Sequence, residues 1–167
     1  MSGRTKIPEQ QPDASPFRFA VVTAEFNDHV TTRLLDGARE CFAKYGGQAV
    51  TEHWVPGAFE LPLAAQLLAE TGRYDAVVCL GAVIRGETRH FQYISAECAR
   101  GIQQAMLSTG VPIAFGVLTT DTIEQADARA GGVIGNKGWE AALTAIQMAA
   151  FATAVDASMT ARPETVE

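Results

Sequence analysis

The stretch Asp75-Ala-Val-Val-Cys-Leu-Gly-Ala-Val-Ile-Arg-Gly-Glu-Thr-Arg-His-Phe-Gln-Tyr93 predicts a buried strand, a turn and a helix in succession. Residues 76–80 form an apolar run that is long enough for a strand covered on both faces. The polar residues 85–90 then lead into a helical pattern from Phe91. A strand that feeds a helix through such a turn is where open α/β sheets bind anionic groups, because free N–H groups point outward at the helix start.

Strands and helices alternate on either side of this stretch. Strands are predicted over residues 17–24, 48–55, 76–84 and 111–119, and helices over residues 30–45, 61–71, 91–109, 122–130 and 139–155. This alternation predicts an α/β fold, a three-layer α/β/α sandwich around a parallel four-stranded sheet. The sequence leaves open whether the amino-terminal segment holds a further strand that is exchanged with a neighbouring subunit.

Length and composition favour one domain. The chain has 167 residues, of which 47% are hydrophobic, enough for one full core. We expect a disordered tail over residues 1–16, rather than an export signal, a domain over residues 17–156 and a frayed tail over residues 157–167.

Several classes of protein are disfavoured. The net charge of −6 argues against a nucleic-acid partner, and no apolar segment is expected to reach the roughly 20 residues of a membrane helix. Cys41, Cys79 and Cys98 are odd in number and widely spaced, which favours buried reduced thiols and a cytoplasmic protein. No metal-ligand spacing, GxGxxG motif or P-loop is found in the sequence.

The distinctive residues fall at the ends of predicted strands. They are Phe26 after the first strand, residues 57–60 after the second, residues 82–90 after the third, and Phe115 within the fourth. Strand ends share one edge of a parallel sheet, so we expect these groups to converge. His90 stands out among the three histidines, because its imidazole could exchange protons with a group held in the turn.

Each of these residues also has an ordinary structural interpretation. Phe26 is either a loop aromatic packed on the core or a stacking platform for a flat heterocycle, and Thr88 is either a helix cap or part of an anion site. Glu60 is favoured by a helix dipole whatever its function. Arg129 is either a solvated helix charge or an anion ligand, and Lys137 either caps a helix or reaches a ligand. The residues alone therefore indicate a cofactor-free enzyme or binder for a phosphorylated small molecule and a flat polar partner.

Four segments in order carry a more specific resemblance. They are Val55-Pro-Gly-Ala-Phe-Glu-Leu-Pro62, Gly81-Ala-Val-Ile-Arg-Gly-Glu-Thr88 with His90-Phe91, Phe115-Gly-Val-Leu-Thr119, and Gly135-Asn-Lys-Gly138. Together they resemble the 6,7-dimethyl-8-ribityllumazine synthase family over residues 17–151. The resemblance implies a flavodoxin-like fold and a transferase of riboflavin biosynthesis that needs no cofactor. Its reaction joins 5-amino-6-(D-ribitylamino)uracil to 3,4-dihydroxy-2-butanone 4-phosphate and releases the lumazine, phosphate and water.

The resemblance also implies a role for each matched residue. His90 would donate and accept protons, Phe26 would stack on the pyrimidinedione, and Glu87 and Thr88 would present backbone amides to the phosphate. The remaining implied substrate-binding residues are Ala58, Phe59 and Glu60 for the ribityl chain, Ala82, Val83 and Ile84 for the ring, and Phe115 and Arg129 from the adjacent subunit, with Arg129 on the phosphate.

Two positions depart from the family's pattern. Arg89 replaces a small residue or proline before the histidine, and Gly132-Val-Ile replaces a segment that usually contains a lysine. The length of that loop is unchanged. Family members that stop at pentamers tend to carry insertions there, so the resemblance implies pentamers assembled into an icosahedral 60-subunit shell. The rival interpretations are a non-catalytic flavin- or lumazine-binding carrier or cage on the same fold, and a riboflavin synthase of the archaeal type.

Overall fold

The computed structural model describes residues 11–160. Its strands are β1 (Arg18–Ala24), β2 (Ala49–Val55), β3 (Ala76–Ile84), β4 (Ile113–Thr120), β5 (Ala130–Gly132) and β6 (Gly135–Asn136). Its helices are α1 (Asp28–Lys44), α2 (Leu61–Glu70), α3 (His90–Thr109), α4 (Ile123–Arg129) and α5 (Lys137–Thr160), with a 3₁₀ turn at Ala58–Glu60 before α2.

The main sheet is parallel and has the strand order β2-β1-β3-β4. This is the order of the first four strands of a flavodoxin-like sheet. The ladder between β1 and β3 ends at the pair Thr23–Leu80, whereas β3 and β4 remain paired as far as Ile84 and Thr120. The carboxyl end of β3 therefore projects beyond β1 and leaves a gap at that edge of the sheet.

Helices cover both faces of the sheet, as the alternating pattern predicts. On β1, Phe19 and Val21 face a core shared with α1 and α5, whereas Ala20 and Val22 face a core shared with α2 and α3. The side chains alternate because successive residues of a strand point to opposite faces. The expected three-layer α/β/α sandwich of flavodoxin-like type is confirmed.

Helices α1 and α5 approach each other closely because small residues lie where they meet. A Cβ at Gly138 would overlap the carbonyl group of Leu34, and one at Gly37 would overlap the side chain of Asn136. The Asn136 amide donates to the carbonyl oxygen of Arg33 at 3.0 Å, and its oxygen accepts from the backbone N–H of Gly138 at 2.9 Å. These contacts start α5 and attach it to α1.

The terminal segments differ in part from their expected disorder. Residues 1–10 and 161–167 lie outside the described residues, so the possible extra strand is not addressed. Within residues 11–16, Ala14 is fully buried and its N–H donates to the carbonyl oxygen of Tyr45 at 2.8 Å. At the other end, α5 continues to Thr160 instead of fraying after Asp156.

Helix α5 corrects the expectation that no segment is long and apolar enough to cross a membrane. It has 24 residues, with a mean hydropathy of 1.2 over its most apolar window. Length and composition alone do not separate a membrane helix from a core helix. A stripe of small residues on α5, including Ala141, Ala142 and Ala145, is buried in the same core as α1, so one face of the helix packs on the domain.

Candidate active site

A cavity of about 290 Å³ opens at the carboxyl edge of the sheet. It brings together residues from the ends of β1, β2 and β3 and from the start of α3. The lining residues are Phe26, Gly57, Ala58, Phe59, Glu60, Ala82, Val83, Ile84, His90, Phe91 and Ile94. The gap beyond the end of β1 makes room for it, since β3 continues there without β1 as a neighbour.

Phe26 lines this cavity with an exposed ring. Its side chain is 71% exposed, so it is not a loop aromatic packed on the core. Its backbone is held, because the N–H of Phe26 donates to the carbonyl oxygen of Pro56 at 3.0 Å and that of Glu25 to Val55 at 2.8 Å. A held backbone with an exposed ring is suited to stacking on a flat ligand.

Asn27, which the sequence analysis did not single out, joins the first loop to β3. Its side-chain amide donates to the carbonyl oxygen of Ala82 at 2.8 Å, and its backbone is left-handed, with φ 62° and ψ 45°. The sequence signal for it was weak, because an asparagine before a helix is usually only a cap.

The turn before α3 presents unpaired backbone donors. Within residues 11–160, the N–H groups of Gly86, Glu87 and Thr88 have no hydrogen-bond partner. The hydroxyl of Thr88 accepts only a long bond of 3.4 Å from the N–H of His90, the first residue of α3. Free N–H groups beside the start of a 20-residue helix are suited to an anion.

Two arginines of this turn differ in their contacts. The guanidinium group of Arg85 lies 3.5 Å from the carboxylate of Asp121 and 5.5 Å from the ring centre of Phe91. Arg89 is exposed and makes no ion pair with any residue in the described part of the chain. Arg89 is therefore the turn's more available positive charge.

Phe115 and Arg129 do not join this cavity. Phe115 lies in the middle of β4, paired with Cys79, and lines a separate depression of about 460 Å³ together with Arg129 and Lys137. The expectation that Phe115 converges with the other groups is wrong within one chain, because Phe115 precedes the end of its strand by five residues.

The charged groups of this second depression are held by local contacts. Arg129 donates to the carbonyl oxygen of Gln125 at 2.9 Å, and the ammonium group of Lys137 lies 2.8 Å from the carboxylate of Glu140. Phe115 is 48% exposed there. One chain therefore carries two incomplete sets of expected site residues, one with His90 and one with Arg129.

No cysteine is among the residues that line either depression. Cys41, Cys79 and Cys98 are buried and free, which confirms the expectation of buried reduced thiols. Burial raises the pKa of Cys41 and of Cys98 to about 12 and raises that of Cys79 further. Among residues 11–160 no three His, Cys, Asp or Glu side chains are grouped for a metal ion.

The fold and the cavity together define a class of protein. It is a flavodoxin-like α/β/α protein with a cavity at the carboxyl edge of its sheet, lined by an exposed aromatic ring and a histidine. The family model for 6,7-dimethyl-8-ribityllumazine synthase matches residues 16–153. A curated relative from Syntrophus aciditrophicus (strain SB), named 6,7-dimethyl-8-ribityllumazine synthase, is 58% identical over 137 residues, which are 81% of this chain and 89% of the relative.

The chain belongs to the 6,7-dimethyl-8-ribityllumazine synthase family. The resemblance in its four sequence segments is thereby confirmed, and the protein is a transferase of riboflavin biosynthesis. Family membership implies small-molecule substrates and an oligomeric assembly.

Proposed function

We propose that the cavity beside His90 condenses 5-amino-6-(D-ribitylamino)uracil with 3,4-dihydroxy-2-butanone 4-phosphate, releasing the lumazine, phosphate and water. The observation that carries this proposal is the cavity lined by an exposed aromatic ring, the end of β3 and the imidazole of His90. The free N–H groups of residues 86–88 lie between Ile84 and His90 along the chain, and both of these residues line the cavity. A flat heterocycle and a phosphate are the two chemical groups that such a cavity accommodates.

In this proposal each part of the cavity has a separate task. Phe26 stacks on the pyrimidinedione, residues 82–84 contact its edge through backbone groups, and Ala58–Glu60 hold the ribityl chain. The N–H groups of Glu87 and Thr88 bind the phosphate.

His90 moves the protons. The amine adds to the ketone and water leaves to give an imine. A proton is then removed from C3 as phosphate leaves C4, and the resulting enol takes a proton at C4 to become a ketone. The ribitylamino nitrogen adds to this ketone and closes the ring with loss of a second water. These steps take and return protons near neutral pH, which suits an imidazole. Holding the two substrates together lowers the entropic barrier, so part of the acceleration does not depend on His90.

The experiment follows lumazine fluorescence with both substrates at neutral pH, against an enzyme-free control. We expect His90→Gln to lower kcat by about 10- to 100-fold, with KM for both substrates nearly unchanged, because the variant removes proton transfer and leaves the cavity. His53→Gln is the matched control, since His53 is exposed on β2 and, within the described residues, its side chain hydrogen-bonds only to Thr51. Wild-type turnover by His90→Gln would contradict the assignment, and ligand retention without acceleration by the wild type would indicate a carrier.

We further propose a pentamer with active sites between adjacent subunits, where Phe115 and Arg129 of one chain complete the His90 cavity of the next and Arg129 pairs with the phosphate. The separation of the two sets of residues within one chain supports this arrangement. Exposed apolar side chains also support an assembly, such as Leu63 and Leu67 on α2, which are 64% and 57% exposed.

The pentamers are proposed to form an icosahedral shell. The hairpin of β5 and β6 is short, without the insertion found in family members that stop at pentamers, and its tip exposes Val133 to 96%. Light scattering behind size-exclusion chromatography tests this, and a mass no larger than a pentamer would contradict it.

The remaining proposals concern the domain and its location. A single domain over residues 17–156 is supported by the family match over residues 16–153. A cytoplasmic location is supported by three free buried thiols, as expected in a reducing compartment.

A further inference from the structure

Asn27 is the one non-glycine residue with positive φ in the part of the chain that the structure describes. A left-handed backbone is uncommon for residues with a side chain, although asparagine tolerates it better than most. Such conformations are kept where the surrounding contacts determine them, and they cluster at functional sites.

The side chain of Asn27 does not have the usual role of asparagine before a helix. The backbone carbonyl oxygen of Asn27 accepts from the N–H groups of Val30 and Thr31 at 2.9 and 3.0 Å, and these bonds start α1. Its side chain makes no capping bond to α1. It reaches instead to the carbonyl oxygen of Ala82, 55 positions along the chain.

The bond from Asn27 to Ala82 lies beyond the last residue pair of the β1–β3 ladder. The β1–β3 ladder ends at Leu80, so the edge of β3 beyond this point has lost β1 as a neighbour. The amide of Asn27 occupies this edge at Ala82, a residue that lines the cavity. An unpaired carbonyl in a partly buried position would be costly.

The bond between Asn27 and Ala82 also restrains the backbone of Phe26, the residue before Asn27. The ring of Phe26 is 71% exposed and has little packing to orient it. Its backbone is attached on one side to the end of β2, through Pro56, and on the other side to the end of β3, through Asn27 and Ala82.

We propose that Asn27 is a positioning residue that acts through Phe26 and Ala82. By joining the first loop to the end of β3, it sets the separation between the stacking ring and the opposite wall of the cavity. The flat heterocyclic substrate lies in this space. The turn that binds the phosphate, with the free N–H groups of residues 86–88, lies before the start of α3. This inference rests on the proposed roles of the cavity residues.

The test compares Asn27→Gly with the wild type. Glycine adopts the left-handed backbone freely but cannot make the bond to Ala82. We expect KM for 5-amino-6-(D-ribitylamino)uracil to rise about five- to tenfold and KM for the butanone phosphate to change less than about twofold. The melting temperature should fall only slightly, because relief of the left-handed backbone at glycine offsets part of the cost of the unpaired Ala82 carbonyl. Asn27→Asp, which keeps the shape and turns a donor into an acceptor, is expected to do the same and provides a second variant if Asn27→Gly folds poorly.

A double-mutant cycle separates positioning from a structural role. In the background of Phe26→Ala, the change Asn27→Gly should have little further effect on KM for the heterocycle, since the ring that it places is gone. Thr71→Ala is the control, because it removes a similar bond from a side chain to the backbone, 2.6 Å from Thr71 to Leu68, at the far end of α2.

Additive effects of the two substitutions, an equal rise in both KM values, or unchanged KM values would each overturn the proposal. If Phe26→Ala leaves binding of the heterocycle unchanged, the proposed site itself fails. If Phe26→Ala weakens binding and Asn27→Gly does not, only the role of Asn27 fails.

Discussion

At the scale of single residues, Asn136 and Gly138 stabilise the fold. Both belong to the segment Gly135-Asn-Lys-Gly138, which carries part of the family resemblance. Asn136 makes three hydrogen bonds through its side chain, to Arg33 on α1 and from Gly138 and Trp139 at the start of α5. Gly138 lies against the carbonyl group of Leu34. The sequence left open whether this loop contacts a ligand, and the structure gives these two residues a role in packing.

We expect Gly138→Ala to destabilise the protein by about 1–3 kcal/mol or more, because the added methyl group would overlap backbone atoms that cannot move aside cheaply. Denaturant unfolding measures the loss. Gly86→Ala is the control, since a Cβ there meets no atom within 4 Å. Equal stability of the two variants would contradict this account of the α1–α5 contact.

At the scale of secondary-structure elements, periodicity predicted the four long strands and the long helices to within a few residues. The strand predicted over residues 76–84 is β3 itself, and the helix predicted from Phe91 begins one residue earlier, at His90. These segments were predictable because their apolar residues recur with the period of a buried strand or of a one-sided helix.

The small hairpin of β5 and β6 was not predicted. Its strands have three and two residues, too few to show any period. It is held by tertiary contacts, such as the bond from the N–H of Ile134 to the carbonyl oxygen of Ala128 at 2.9 Å. Gly131 within β5 and Gly135 at the start of β6 supply backbone conformations with φ of 93° and 103°.

At the scale of the whole molecule, the two separate depressions lead to a test of the proposed active site between subunits. His90→Gln and Arg129→Ala are each expected to be weakly active. When the two variants are co-expressed and purified as mixed oligomers, about a quarter of the sites should combine an intact His90 with an intact Arg129 from the neighbour, because the proposed contact between subunits is head-to-tail. Recovered turnover above that of either variant is the expected result.

The control is a mixture of the two variants purified separately, which tests for subunit exchange. If both residues acted within one chain, no site of a mixed oligomer would hold both, and turnover would equal the mean of the two variants. That outcome would contradict the proposed arrangement between subunits.

The sequence alone determined the fold class, the family and the residues near the cavity, because these depend on local periodicity and on short motifs whose order is preserved along the chain. Only the tertiary structure decided which of those residues meet. Asn27 reaches Ala82 because β3 continues past the end of β1, and Phe115 lies apart from His90 because it precedes the end of its strand. Contacts of this kind depend on strand register and strand length across the sheet, which no local pattern of residues encodes.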